Sequence, residues 1–506
     1  MHPLTKNFNK ALLPLGYKAS ISHIIEKFPK EIEIIIAVGY EKEKVSQYLL
    51  CAHQDRKIKI VEIDNISGTG SGPGYSLLFC KEYLKCPFIF FSVDTIVEED
   101  IPLPDQNWMG IAPVKDPKDY CSVSLNDNLV FELHDKIQSN NKNAFIGLAG
   151  IRDYEIFFDS LEKNELLIEK EKQVSNGFTA LIPKKLNPIF FSWYDIGNID
   201  GYYETKKKFS NPNESFNFEK KDEYLYFVEN KVIKYFNDKN IIQKRFLRAN
   251  KLTGLCPKID FKTDFFYSYK KVDGNILYDA KDPFLVLKLL EWLEKNLWKK
   301  EVINKTKMNT FKQSCKLFYF DKTYNRLKTY FDKYNFNEKT QYINGEEVTS
   351  ASNLISKIDM DWLCNGIPSQ FHGDLQFENI LFSKNNEFTL IDWRQEFSGN
   401  LDYGDMYYDL AKLNGGIYVS YKKIKQNLFS FDTKSNDITL STESDSFLNE
   451  SKKIFDNFIE QKKLDKKKIE ILTGIIFLNM AAMHHEPFDH FIYNLGRLKI
   501  NQWINV

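Results

Sequence analysis

A polar break at residues 209–224, FSNPNESFNFEKKDEY, divides this chain of 506 residues into two stretches with different hydrophobic grammar. Before it, β-branched runs such as EIEIIIAVGY (31–40) and KIKIVEI (57–63) alternate with helix-patterned runs such as KEKVSQYLLCAH (42–53), and CPFIFFSVD (86–94) is a further apolar strand. Strands alternating with helices imply right-handed crossover units and a mixed, mainly parallel sheet, so the first region, 1–209, is read as an α/β domain. The break contains Pro212 and no apolar period, which makes 210–220 a linker. After it, EYLYFVENKVIKYF (223–236) reads as a hairpin turning at Glu229-Asn230, IIQKRFLRANKL as a helix, and FFYSYKKVDGNILY as a strand ending near Asp273-Gly274. From 283 onward long helical patterns dominate, beginning with PFLVLKLLEWLEKNLW. The second region is therefore a small mixed lobe, 221–282, and a large helical lobe, 283–506. The polar stretch 431–446 is read as a surface excursion.

Composition narrows the function classes. Sixty-nine basic side chains balance sixty-nine acidic ones, which argues against a polyanion-binding surface over the whole molecule and makes nucleic acid a poor partner. Seven cysteines are scattered without a C-x-x-C pair, the usage of a reducing cytoplasm. The longest apolar stretch, 469–483, carries Glu470 and Asn479 and is shorter than the ~20 residues of a membrane span, so it is read as a buried helix. HHEPFDH (484–490) fits no standard metal-ligand spacing.

The densest chemistry lies at FHGDLQFENILF (371–382) and FTLIDW (388–393), joined by a turn. Asp374 and Asn379 have the D-x-x-x-x-N spacing of a kinase catalytic loop, and Asp392 ends a short apolar strand. Phosphoryl transfer from a nucleotide needs such a set: a carboxylate near the acceptor hydroxyl and two oxygen ligands for Mg²⁺ on the phosphates. The run resembles the aminoglycoside phosphotransferase and choline kinase family, with its two-lobed, protein-kinase-like fold. That resemblance implies that Asp374 accepts the hydroxyl proton, that Asn379 and Asp392 hold Mg²⁺, and that His372 braces the loop. Lys234 is the candidate for the lysine on the ATP phosphates. Its usual helix glutamate is missing from IIQKRFLRANKL, so either Gln243 substitutes or the pairing glutamate lies elsewhere. Trp393, Arg394 and Asp405 are candidates for shaping the acceptor site. Aromatics beside acids there could cage an ammonium group or simply pack a helix.

In the first domain a Gly-rich loop with Gly68, Thr69, Gly70, Gly72 and Gly74 opens a helix, and an apolar strand follows that ends near Asp94. Backbone in such a loop can approach a nucleotide closely, and an acid at a strand's carboxyl end sits where open α/β sheets bind ligands. Together with AFIGLAGIRDYEIFF (144–158) and WYDIGNIDGYYETKKKF (193–209), these residues resemble the sugar-nucleotide pyrophosphorylase and phosphocholine cytidylyltransferase family, with a Rossmann-like nucleotidyltransferase fold. The resemblance implies that Asp94 and Asp195 are metal-binding carboxylates, that Gly68, Thr69 and Gly70 contact base and ribose, and that Ser76 is a hydrogen-bonding member. Asp195 could instead cap a helix. By the same resemblance PLT…KALLPL (3–15) is the second half of the family's signature and Lys10 meets phosphates. The strand and Gly-rich loop that form its first half are not in the sequence given. The expectation is that the physiological chain starts upstream of Met1. As given, the neighbours of the central strand would lack ladder partners and nucleotidyl transfer would be poor.

Joined, the resemblances imply a cytoplasmic bifunctional enzyme using Mg²⁺, ATP and an NTP, CTP being favoured. A small alcohol, polyol or amino alcohol would be phosphorylated and then coupled to a nucleoside monophosphate for surface glycan synthesis. The alternative is a kinase carrying an inactive nucleotidyltransferase-like binding domain.

Overall fold

Short connections decide the topology of the first sheet. The computed structural model describes residues 1–210, 222–280, 282–385, 387–443 and 445–505, with backbone alone at His2 and Pro3. Of the expected linker, all but Ser210 lies outside the described residues. By compactness the chain divides into Met1–Asn211 with Tyr224–Tyr235 as one unit, and Phe236–Val506 in the other.

In the first unit β1 (Ile34–Val38), α1 (Lys42–Ala52) and β2 (Ile58–Glu62) form a crossover unit in which β1 and β2 pair in parallel, Ile34 opposite Ile58. After α2 (Pro73–Phe79) come β3 (Phe88–Phe91), β4 (Thr95–Val97), β5 (Trp108–Pro113), β6 (Cys121–Asn126), β7 (Leu129–Asp135) and β8 (Asn143–Ile151). Helix α3 (Tyr154–Lys163), β9 (Asn187–Phe190), β10 (Trp193–Asp195) and α4 (Ile199–Phe209) complete the run. The main sheet has the order β9-β5-β8-β6-β7, with β3 also on β8. It is mixed as expected, but only β9–β5 is parallel, while β8 is antiparallel to β3, β5 and β6. The reason is loop length. Parallel neighbours need a crossover of a dozen or more residues, and the 126–129 connection is two residues long. Asp127 and Asn128 both have positive φ there (49° and 62°), which suits a type I′ hairpin.

Among the described residues β1 pairs only with β2, and β3 only with β8. The outer edge of each is unpaired, and Ile34, Ile35, Ile36, Ile89, Phe90 and Phe91 are half-buried instead of buried. In the core of this unit Met109, Ile111, Ala149 and Ile151 of the sheet pack on Phe157, Phe158 and Leu161 of α3, with Ile35 and Phe90 at its margin.

The hairpin β11 (Glu223–Val228) and β12 (Lys231–Phe236) turns where expected, at Glu229-Asn230. Tyr224 and Tyr235 pack on the Phe8 ring, Tyr226 on Tyr48, and the Tyr226 hydroxyl donates to the Leu12 carbonyl at 2.8 Å. These contacts group Tyr224–Tyr235 with the first unit, so the stretch read as a small lobe is divided between the two.

The second unit begins with α5 (Lys239–Lys251) and the antiparallel pair β13 (Ile259–Lys262) and β14 (Phe266–Lys270). The helices α6 (Phe284–Asn296), α7 (Lys305–Lys316) and α8 (Lys322–Tyr334) follow, then the hairpin β15 (Ile380–Phe382) and β16 (Phe388–Leu390), then α9 (Met406–Tyr418). The polar stretch near 431–446 is an ordered hairpin, β17 (Phe429–Lys434) and β18 (Asp437–Thr442), whose second strand pairs in parallel with Gln341–Ile343. Helices α10 (Ser446–Gln461), α11 (Lys466–Ala481) and α12 (Phe488–Ile504) end the chain. Every residue of α11 from Lys468 to Ala481 is buried, which explains an apolar run too short for a membrane. Among the described residues no helix is long and apolar enough to cross one.

Helices α11 and α12 meet glycine to glycine. A Cβ at Gly474 would lie 2.9 Å from the Gly496 carbonyl oxygen, and one at Gly496 would lie 2.8 Å from that of Gly474. Backbone cannot give way as a side chain can, so Gly474→Val is expected to lower the unfolding free energy by about 1–3 kcal/mol or more, read as a reduced denaturant midpoint.

Candidate active sites

In the first unit three residues far apart in sequence converge. Asp94 follows the carboxyl end of β3, and Lys10 lies in a short helical turn fixed by Asn9, whose side chain accepts from the Ala11 N–H. Lys10 Nζ meets Asp94 Oδ2 at 2.6 Å, and the Ser92 hydroxyl donates to the same carboxylate. Burial alone would raise the Asp94 pKa, but the Lys10 charge and the hydrogen bonds outweigh it and hold it below the usual range.

Asp195 reaches this place through strand pairing, because β10 runs beside β4 with Asp195 opposite Thr95. Its carboxylate accepts from the Tyr120 hydroxyl (3.0 Å), the Gly197 N–H (2.8 Å) and the Asn198 amide (2.8 Å). Burial and the adjacent carboxylate push the Tyr120 phenol up to about 12, which keeps it a donor. The cap of α4 is Asn198, which accepts from the Gly201 N–H, so Asp195 is not the helix cap. The point where a Gly197 Cβ would sit is 3.0 Å from Asp195 Oδ1 and 3.3 Å from Asp94 Oδ2, so the two carboxylates close over a residue with no side chain.

Gly68 and Gly70 have φ of +98° and +86° with open space above them, and Thr69 between them is exposed. The loop is held from behind by 170–172, where Gly70 N–H donates to the Lys170 carbonyl and Lys172 N–H to the Ser71 carbonyl, each at 2.7 Å. Ser76 turns back into its own helix and donates to the Gly72 carbonyl.

In the second unit the hairpin β15–β16 joins the two ends of the motif. Its register sets Ile380 opposite Leu390, and the Ile391 N–H donates to the Asn379 carbonyl at 2.9 Å, which puts Asn379 beside the strand that ends in Asp392. Asn379 Nδ2 donates to the Asp374 backbone carbonyl at 2.8 Å and lies 3.4 Å from its carboxylate. Asp374 and Asp392 are close enough to repel each other electrostatically. Lys412 Nζ, on α9, meets Asp374 Oδ1 at 2.7 Å and outweighs burial, so the carboxylate stays ionised. Asp392, with φ of +59°, accepts from Arg245 of α5 at 2.6 Å. Arg245 therefore stands on the helix where a glutamate was sought.

His372 is fully buried and has both ring nitrogens engaged. Nε2 lies 3.0 Å from the Ile391 carbonyl and must donate to it, while Nδ1 accepts from the Asp374 N–H at 3.3 Å. Burial lowers its pKa to about 4, and protonating Nδ1 would break that second bond. Asp409, also fully buried, accepts from the N–H groups of His372 and Gly373, each at 2.7 Å.

Two acceptor-site candidates prove to be structural. Trp393 is 0% exposed, packs on Tyr267 and Tyr269, and donates to the Arg245 carbonyl at 2.9 Å. Asp405 is 1% exposed, caps α9 through the Tyr407 N–H, and accepts from the Tyr319 hydroxyl at 2.8 Å. Aromatics and acids near such a loop resemble a binding cage by residue type, but burial keeps both of these side chains out of reach. Arg394 stands against the loop, with its Cβ near Gly373. Lys234 is half-buried on β12, among the residues grouped with the first unit. Lys412 was missed, although its spacing of three from Asp409 on a helix puts both on one face. His484 and His490 contact Tyr421 and Tyr330.

The donor sets suit Mg²⁺, which takes one or two protein oxygens and completes its shell with phosphate and water. Asn379 has its amide nitrogen on the Asp374 carbonyl, which leaves Oδ1 as the atom to meet a cation. Among the described residues no group of three or more His, Cys, Asp or Glu could hold a metal unaided.

No protein-family model matches the chain. Its N-terminal ~40% resembles nucleotidyltransferases. The bifunctional protein GlmU of Methanococcus vannielii is 32% identical over 210 residues, covering 39% of this chain and 49% of that protein. GlmU of Methanocaldococcus jannaschii is 31% identical over 218 residues, covering 41% and 50%. The chain thus spans about half the length of the curated relatives it matches. Among solved structures, the CTP:phosphocholine cytidylyltransferase LicC of Streptococcus pneumoniae is 19% identical with a TM-score of 0.35, covering 41% of this chain and 92% of that one. The inositol-1-phosphate CTP transferase from T. maritima is 12% identical with a TM-score of 0.33, covering 41% and 90%.

The neutral state of His372 makes a pH prediction. Its folded pKa lies below the unfolded 6.5, so its contribution to stability is full above pH 6.5 and is lost as pH falls through about 4. The shift corresponds to about 3 kcal/mol. Urea midpoints measured between pH 7 and 4 should fall less steeply in His372→Gln than in the parent protein.

Proposed function

We propose that the chain is a bifunctional enzyme, an ATP-dependent small-alcohol kinase in its second unit and a nucleotidyltransferase in its first. What supports the reading is that each unit gathers sequence-distant carboxylates and a lysine into one cluster of the composition phosphate chemistry needs. In the second unit, Asp374 takes the proton of the acceptor hydroxyl as its oxygen bonds to the γ-phosphorus of ATP. The bond from that phosphorus to the β–γ bridging oxygen breaks, and ADP leaves. Lys412 keeps Asp374 ionised and oriented until the acceptor displaces it. Asn379 and Asp392 would hold Mg²⁺, which supplies charge neutralisation on the phosphates.

In the first unit, the phosphate monoester attacks the α-phosphorus of an NTP, CTP being favoured, and pyrophosphate departs. Lys10 neutralises phosphate oxygens, Asp94 and Asp195 would hold Mg²⁺, and the Gly68–Gly70 tip, with its exposed backbone, meets base and ribose. The product is an activated alcohol for surface glycan assembly, made in the cytoplasm. A second reading, a kinase with an inactive first unit, draws on the unpaired edges of β1 and β3, which leave that sheet in two pieces.

Replacing Asp374 by Asn is expected to reduce ATP-dependent phosphorylation by about 10²–10⁴-fold, measured as acceptor-dependent ADP release; unchanged turnover defeats the kinase assignment. With labelled CTP and a phosphorylated acceptor, Asp195→Asn should abolish pyrophosphate release. Absence of release from the parent protein, with the kinase active, favours the second reading.

A further inference from the structure

We propose that the acceptor carries an anionic group beside its reacting hydroxyl, a carboxylate or a phosphate monoester, met by Lys322, Arg326 and Arg394. This rests on the kinase reading of Asp374.

The three cations come from two places. Lys322 and Arg326 lie four residues apart at the start of α8, on one helix face. The turn before them, Leu317–Asp321, is π-helical, an irregularity that is frequent at functional sites. Arg394 follows the β16 strand and packs against Gly373 of the catalytic loop. Lys322 and Arg394 share one aromatic platform, since Lys322 Nζ lies 4.1 Å and the Arg394 guanidinium carbon 4.7 Å from the centre of the Phe318 ring.

None of the three has a carboxylate partner among the described residues. Arg326 donates to the Asn479 carbonyl at 3.1 Å, and Arg394 Nε is buried with no hydrogen-bond acceptor. Lys322 and Arg326 both feel the charge of Asp374, whose carboxylate is already paired with a fourth cation, Lys412. Four positive groups therefore crowd together beside Asp374, the residue that is to receive the acceptor's proton. Burial, and then repulsion from Arg394, Arg326 and Lys412, lowers the Lys322 pKa to about 5. An incoming anion would reverse that cost and restore the ammonium.

Two considerations assign the excess charge to the acceptor and not to ATP. Arg394 packs against Gly373, the residue before Asp374, and shares the Phe318 ring with Lys322, which sets the cluster beside the Asp374 turn. Asp392 has its own cation, Arg245. An amino alcohol would enter this place against like charge, whereas a hydroxy acid or a phosphorylated polyol would complete it. After the kinase step such an acceptor still offers a new phosphate monoester for nucleotidyl transfer.

The test uses the full chain with MgATP and five acceptors read by ADP release: glycerate, glycerol 3-phosphate, glycerol, ethanolamine and choline. The expected result is the highest kcat/KM with an anionic acceptor, the first two arms telling carboxylate from phosphate. The double substitution Lys322→Met with Arg326→Gln should raise the KM of that acceptor at least about tenfold and leave the KM of ATP within about twofold. The inference is overturned if glycerol, ethanolamine or choline is the best acceptor, or if none is turned over although calorimetry shows ATP bound. It is overturned equally if the substitutions raise the KM of ATP in place of the acceptor's, or leave both unchanged. Failure of ATP to bind at all is a different result, because it removes the kinase reading itself and this inference with it.

Discussion

Asp409 is out of reach of water, and both of its oxygens are taken by the backbone N–H groups of His372 and Gly373. Those two bonds fix the turn from which Asp374 projects. An ionised acceptor strengthens each of them, while burial pulls the other way and raises the Asp409 pKa to about 6. His372 then carries the constraint onward. It holds the Asp374 N–H through Nδ1 and the Ile391 carbonyl through Nε2, so the first and last parts of the motif are tied through one neutral ring. Arg248, buried and held by the carbonyls of Phe371, Arg394 and Leu401, closes the same loop from below. A turn held by this many backbone contacts has little freedom to misplace the Asp374 carboxylate.

The two units solve one electrostatic problem in the same way. Each holds a half-buried aspartate whose ionised form is disfavoured by the loss of water around it. In the first unit Lys10 sits on Asp94, and in the second Lys412 sits on Asp374. Both lysines come from segments distant in sequence, so ionisation of the acid depends on the fold being made. The difference lies in what surrounds the pair. Asp94 faces a second carboxylate across Gly197, a surrounding suited to a cation, whereas Asp374 faces further arginines and a lysine.

Much of this was legible because local spacing and local pairing coincide. The D-x-x-x-x-N run and the short strand ending in Asp392 were visible as a motif, and the β15–β16 register then had little choice but to bring Asn379 beside Ile391. The hairpin at Glu229-Asn230 and the buried helix at 466–481 were equally plain from alternation and from an apolar run of insufficient length for a bilayer. The sheet direction of the first unit was not, since alternating strand and helix signals before residue 90 say nothing of the short-looped strands after 108. Trp393 and Asp405 misled for a related reason: residue type announces what a side chain could bind, and only packing tells whether it is reachable.

The sequence by itself determined the two grammars on either side of the polar break, the acids that phosphate chemistry would need, and the resemblance of the N-terminal ~40% to nucleotidyltransferases. Those properties reside in residue order within windows of a few turns or one hairpin. Only the tertiary structure decided which cations meet which acids, Lys10 with Asp94, Arg245 with Asp392 and Lys412 with Asp374, and which two cations, Lys322 and Arg394, share the Phe318 ring. Each pair joins elements tens of residues or more apart, and Coulomb interactions act across space with no regard for chain order, so no local pattern could have announced them.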